Sequence, residues 1–263
     1  MSLEEAEERQ TYYDENGIGW VARPPHNSTP QWGEKPFVRR GRFKKASNMN
    51  YAMRLSCEVE DKLANLDRGL EWSQMEENVA YEEALQEALA DRKGEAWADG
   101  SIRIGDYILL IDCDTRVPAD CLLDAVSELE QNPEVAILQE VSGVMNVTDT
   151  FFEKGITFFT NMIYTMIRFA VASGDVAPFV GHNAFLRWSA LQEVMYKCEH
   201  DGWQKFWSEE TVSEDFDMSL RLQSQGYIVR LAAYEGEGFK EGVSLTVYDE
   251  LNRWEKCVPF PRT

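Results

Sequence analysis

Asp112-Cys113-Asp114 places two carboxylates one residue apart at the end of an apolar run, Asp106 to Ile111. Carboxylates held that close repel unless one is protonated or a cation sits between them. A hard cation such as Mg²⁺ or Mn²⁺, its shell completed by phosphate oxygens, resolves the repulsion directly. The same aspartates can also serve as turn and capping residues. A second acidic group, Ser213-Glu214-Asp215, precedes Phe216, Leu220 and Leu222, a spacing that predicts a helix starting here. One of these carboxylates can take a proton from a hydroxyl nucleophile, or simply complement the helix N-terminus. In Glu250-Leu251-Asn252-Arg253-Trp254, the guanidinium can hold a phosphate and the indole can stack on a sugar ring. An Arg-Trp pair can equally be structural.

The elements that must position these groups follow from the hydrophobic pattern. The run at 106–111 reads as a strand buried on both faces of a parallel sheet. A helix over 119–131, between Pro118 and Pro133, and a strand over 135–139 complete a strand–helix–strand unit. In such sheets ligands bind at the carboxyl ends of the strands, which is where Asp112 and Asp114 fall. Upstream, a short strand is predicted at 19–22, then a loop through Pro24-Pro25. A basic cluster follows: Arg39, Arg40, Arg42, Lys44 and Lys45. It reads either as a solvated loop or as an anion-binding patch. From Glu58 to Arg92 the spacing turns helical, with Val59, Leu63, Leu66 and Leu70 on one face and Met75, Val79, Leu85 and Leu89 on a second stripe. That window has eleven acidic residues against Lys62, Arg68 and Arg92, so its outer faces are acidic. The stretch 155–172 is apolar but carries Asn161 and Arg168, which suits an amphipathic core or interfacial helix better than a membrane span.

The chain has 263 residues, 44% of them hydrophobic, with 8 Trp, 10 Tyr and 13 Phe, enough for one substantial core. A net charge of −20 disfavours nucleic acid and anionic lipid. It would also repel a nucleotide-sugar, so such a substrate needs a local cation or basic side chains. Cys57, Cys113, Cys121, Cys198 and Cys257 form no C-x-x-C pair, and reduced thiols are the simplest reading. The N-terminus is acidic and lacks the apolar core of a signal peptide.

Five segments, in order, resemble the processive family-2 glycosyltransferases, the cellulose, chitin and hyaluronan synthases, and most of all their little-characterised fungal members. Lys45-Ala46-Ser47-Asn48-Met49-Asn50 is similar to the K-A-G-N-x-N segment beside the nucleotide. Asp112-Cys113-Asp114 is similar to the D-x-D metal motif. Phe179-Val180-Gly181-His182-Asn183 resembles the F-x-G-T-N acceptor loop. Ser213-Glu214-Asp215 resembles T-E-D, and 250–254 resembles Q-x-x-R-W.

The resemblance implies a GT-A fold, a three-layer α/β/α arrangement on a mostly parallel sheet, forming one domain over 1–263 with an acidic helical insertion at about 55–100. It implies inverting, metal-assisted transfer from a UDP-sugar to a polysaccharide or glycan acceptor. Asp215 would be the general base with Glu214 beside it. Lys45, Asn48, Asp112 and Arg253 would bind the nucleotide-sugar, and Asp112 and Asp114 would hold Mg²⁺ or Mn²⁺. Gly181, His182, Asn183 and Trp254 would meet the acceptor. Ser213, His182 and Glu250 depart from the family pattern. The family's uridine-binding strand would precede Trp20, and its membrane helices would follow Trp254. The chain therefore reads as a piece lacking its first strands and its channel, working at the cytosolic face of a membrane in the full-length protein. The rival class is a non-catalytic remnant acting through its acidic helices. A phosphohydrolase with a nucleophilic Asp leaves Lys45, Asp215 and Trp254 without roles.

Overall fold

The computed structural model describes residues 3–29, 37–40, 45–92, 96–174, 176–211, 213–233 and 238–257. They divide into two compact units, Met1–Ile104 and Gly105–Thr263.

In the first unit a polar helix, α1 (Leu3–Glu15), precedes β1 (Trp20–Ala22), which pairs antiparallel with β2 (Trp97–Asp99). Gly19 is required there, because a Cβ would lie 1.9 Å from the Ser101 carbonyl oxygen. Two helices, α2 (Lys45–Ala64) and α3 (Gln74–Ala90), pack through Leu55, Val59 and Leu63 against Tyr81, Ala84, Leu85 and Ala88. A capping box fixes the start of α3: Ser73 accepts from the Glu76 amide while the Glu76 carboxylate accepts from the Ser73 amide. Ion pairs tie the acidic faces together, Lys62 to Glu87 and Asp91, and Arg103 to Glu60 and Glu77.

This corrects the sequence expectation in two respects. The first helix begins at Lys45, well before Glu58, and ends at Ala64. Leu66 and Leu70 therefore lie beyond it and are exposed, and Met75 and Val79 are exposed on α3. Arg42 and Lys44 of the basic cluster lie outside the described residues.

The second unit is built on a four-stranded sheet in the order β3-β6-β4-β9. The strands are β3 (Tyr107–Leu110), β4 (Val135–Glu140), β6 (Ala184–Arg187) and β9 (Ile228–Ala232). β6 is antiparallel to both β3 and β4, and β9 is parallel to β4. Three strands thus share one direction, with β6 inserted between the two halves of the expected strand–helix–strand unit. That insertion leaves β3 at the end of the described sheet, half-buried, where the sequence had suggested a central parallel strand. β4 is the buried centre. The crossover helix α4 (Cys121–Gln131) covers one face, its Cys121, Ala125 and Leu129 meeting Leu138 and Phe185. The sheet is mixed, in a GT-A-like α/β fold.

Around the sheet lie a parallel pair, β5 (Ser142–Val144) with β10 (Phe239–Glu241), and a small hairpin, β7 (Tyr196–Lys197) with β8 (Gln204–Lys205). The remaining helices are α5 (Phe151–Val171), α6 (Trp188–Glu193), α7 (Glu214–Ser224) and α8 (Val247–Cys257). α7 starts where Ser213-Glu214-Asp215 predicted, but it buries Met218 and Leu222 and leaves Phe216 and Leu220 exposed. Its Arg221 pairs with Asp217 and donates to the carbonyls of Val194 and Phe206, which fixes the helix. α5 is the amphipathic helix expected from 155–172. Among the described residues no helix is long and apolar enough to cross a membrane. Cys57, Cys113, Cys121 and Cys198 are free thiols.

Candidate active site

The site lies in the second unit, where the chain leaves β3, β4 and β10. Asp112, half-buried, and Asp114, exposed, follow the end of β3 in a turn closed by the Thr115 amide on the Asp112 carbonyl, 3.1 Å. Two backbone hydrogen bonds between Arg116 and Lys240, 2.8 and 3.0 Å, then fasten this loop to β10. They bring Asp114 against Gly242, where a Cβ would stand 2.6 Å from Asp114 Oδ2. Only the absence of a side chain permits that approach.

The loop 179–183 is held by one buried side chain. Gln139, near the end of β4, accepts from the Val180 amide at 2.9 Å and donates to the carbonyls of His182 and Asn183 at 3.0 and 3.1 Å. Gly181, at φ +80°, passes close to α7, so that a Cβ would sit 3.0 Å from Asp215 Oδ2. Asn183 takes a left-handed φ of 50° and is fully buried. Its amide donates to Ser142 Oγ at 2.7 Å and its carbonyl accepts from Thr115 at 3.1 Å. Asn183 therefore ties the D-C-D loop to β5, and its side chain is committed to the scaffold.

His182 Nε2 meets Glu241 Oε2 at 2.7 Å, and the Tyr164 hydroxyl reaches the same oxygen at 3.2 Å. Burial disfavours the charged imidazole, but the Glu241 hydrogen bond and charge outweigh it and raise the His182 pKa, with Asp112 adding to the effect. Continuous contacts thus run from Asp215 to Gly181, through His182 and Glu241, and from Gly242 to Asp114. Asp215 is half-buried in the first turn of α7, with one oxygen accepting from the Phe216 amide at 2.8 Å.

Residues 107–258 match the model of the glycosyl transferase family group 2. The chain belongs to this family. It is 26% identical over 152 residues to a beta-monoglucosyldiacylglycerol synthase of Trichormus variabilis, covering 57% of this chain and 30% of that protein. It is 27% identical over 158 residues to the glucans biosynthesis glucosyltransferase H of Xanthomonas campestris, covering 58% of this chain and 24% of the relative. Both relatives are bacterial, and the chain matches less than a third of the length of either.

Within this glycosyltransferase family 2 chain, the structure gathers Asp112, Asp114, Gly181, His182, Asn183 and Asp215 around one site. Glu214 is half-buried beside Asp215 at the start of α7. Arg253 and Trp254 lie on α8, which is capped by Thr246 and Asp249, and Trp254 donates to Glu250 at 2.6 Å. Both help to line a groove that also contains His182 and Glu241. Lys45 and Asn48 belong to the first unit, in the opening turn of α2. Among the described residues no three His, Cys, Asp or Glu side chains cluster closely enough to hold a metal ion.

Sequence reasoning missed Glu241, Tyr164, Gln139 and Ser142. Gln139 alone had a visible signal, a polar residue closing an otherwise apolar strand.

Proposed function

We propose that this chain carries the transfer site of an inverting glycosyltransferase, which moves a sugar from a UDP-sugar to a hydroxyl on a glycan or lipid acceptor. The observation supporting this is the packing of Asp215 against Gly181, in one continuous set of contacts with His182, Glu241, Gly242 and Asp114. It gathers the candidate base, the acceptor loop and the diphosphate end of the site.

Asp215 accepts the proton of the acceptor hydroxyl as that oxygen bonds to the anomeric carbon. The bond from that carbon to the diphosphate oxygen breaks, and UDP leaves with the electron pair. General-base assistance of this kind contributes about 10²–10⁴-fold. Asp112 and Asp114 suit a hard divalent cation that takes two protein carboxylates and fills its shell with water and phosphate oxygens. Held by Asp112 and Asp114, such an ion would supply positive charge for the departing diphosphate. Arg253 adds positive charge, and Lys45 and Asn48 are assigned to the nucleotide by the family motif alone. His182 and Trp254 contact the acceptor. One relative is named for a glucosyl lipid and the other for glucans, which fits either acceptor type. In the whole protein the site works at the cytosolic face of a membrane.

Calorimetry with UDP and Mn²⁺ tests the donor half. Metal-dependent UDP binding that is lost in Asp114→Ala supports the reading, and equal binding by wild type and variant contradicts it.

A further inference from the structure

A cavity of about 410 Å³ lies between α4, β4 and β9. Successive side chains of a strand point to opposite faces. Gln139 of β4 reaches the 179–183 loop, so its neighbours Leu138 and Glu140 point the other way, toward α4. Glu140 is 2% exposed and lines this cavity. Its Oε2 has no hydrogen-bond partner among the described residues. A carboxylate buried this deeply is costly to leave unpaired. Asp124, exposed on α4 and also on the lining, repels it and adds to the penalty that burial places on its charged form.

The remaining polar groups of the lining are Glu128 and Arg230, paired at 2.7 Å. Arg230 also lies 3.8 Å from Glu134. Among the described residues, three carboxylates of the lining thus stand against one guanidinium that already has acidic partners, and the cavity favours a cation. A metal ion does not suit it. Among the described residues no three His, Cys, Asp or Glu side chains cluster closely enough to hold one. A primary ammonium suits it better, because it is compact and brings three N–H donors of its own. Leu138, Leu231 and alanines 125, 232 and 233 make up the apolar lining, which fits a short methylene chain. The volume falls within the range of small-molecule sites, about 300–1,000 Å³.

We propose that this cavity binds a primary alkylammonium group, its charge met by Glu140 and Asp124 and its methylenes lying against Leu138 and Leu231. The proposal is independent of the transferase reading.

Calorimetry at pH 8, where Glu140 is ionised even without a ligand, provides the test. n-Butylammonium chloride is titrated into the whole chain. Tetramethylammonium chloride, which has no N–H donor, controls for general attraction to a net charge of −20. The expected result is saturable binding of butylammonium alone, weakened at least about tenfold in Glu140→Gln. Asp124→Asn, an exposed change, should weaken it by about two- to fivefold. Circular dichroism checks that both variants fold. Equal binding of the two cations, or undiminished butylammonium binding in either folded variant, would overturn the proposal. N-acetyl-lysine amide carries the same ammonium on a peptide unit. Binding tighter than that of butylammonium assigns the site to a partner's lysine side chain, and weaker binding assigns it to a free amine.

Discussion

The Glu241 carboxylate lies 2.7 Å from His182 Nε2, and the same oxygen accepts from the Tyr164 hydroxyl at 3.2 Å. One half-buried acid thus joins α5, the 179–183 loop and β10. Its charge overcomes the burial that would otherwise discharge the imidazole, and His182 keeps its proton to higher pH than an ordinary histidine.

That raised pKa fixes the sign of a pH dependence. The pair's stabilisation is complete below the unfolded histidine value, about 6.5, and is lost as pH rises through the higher folded value. Glu241→Gln should lower the His182 titration midpoint, read from its ring signals by NMR. The stability gap between wild type and variant should be widest in acid and shrink in alkali. An unchanged midpoint would show that Glu241 does not govern the proton on His182.

Gly181 and Gly242 make a matched pair of probes. Gly181→Ala puts a side chain at φ +80° and 3.0 Å from Asp215, so it should cost about 1 kcal/mol of stability and displace the Asp215 carboxylate. Gly242→Ala meets Asp114 at 2.6 Å without a positive φ, and the exposed Asp114 can swing away. Its expected effect is weaker metal-dependent UDP binding at nearly unchanged melting temperature. Calorimetry and thermal melts on both variants separate the effects, and a Gly242→Ala protein with wild-type UDP affinity would contradict the geometry.

Glu140, at the end of β4, is 2% exposed and its Oε2 has no hydrogen-bond partner. Burial, with repulsion from Asp124, pushes its pKa up to about 7. The folded state therefore holds a proton that the unfolded state has released, and stability falls as pH rises from the ordinary carboxylate range to about 7. Glu140→Gln should flatten that fall and be more stable than wild type at pH 8, by about 3 kcal/mol. Chemical denaturation at pH 5 and pH 8 checks it, and parallel pH profiles would refute it.

The sequence marked the candidate site where chemistry coincides with an element boundary. Asp112 and Asp114 follow an apolar run, and Asp215 opens a helix whose first turn is acidic, so both could be placed from spacing. Glu241 could not. It ends a three-residue strand defined by pairing with Ser142–Val144 and Arg116, far away in the chain, and nothing local marks it. The start of α2 was hidden because Ser47 and Asn50, both buried, interrupt the apolar periodicity of its first turns. The stripe from Val59 to Leu70 failed for the opposite reason: regular spacing continued past Ala64, where the helix ends. β3 was misplaced because an apolar run shows burial but not which strand pairs beside it, and β6 comes from much later in the sequence.

Asp215→Asn bears most directly on the central claim. In the whole protein, with a radiolabelled UDP-sugar, transfer should fall by about 10³-fold while UDP–Mn²⁺ affinity stays at the wild-type value. Turnover equal to wild type would contradict the assignment of Asp215 as the base.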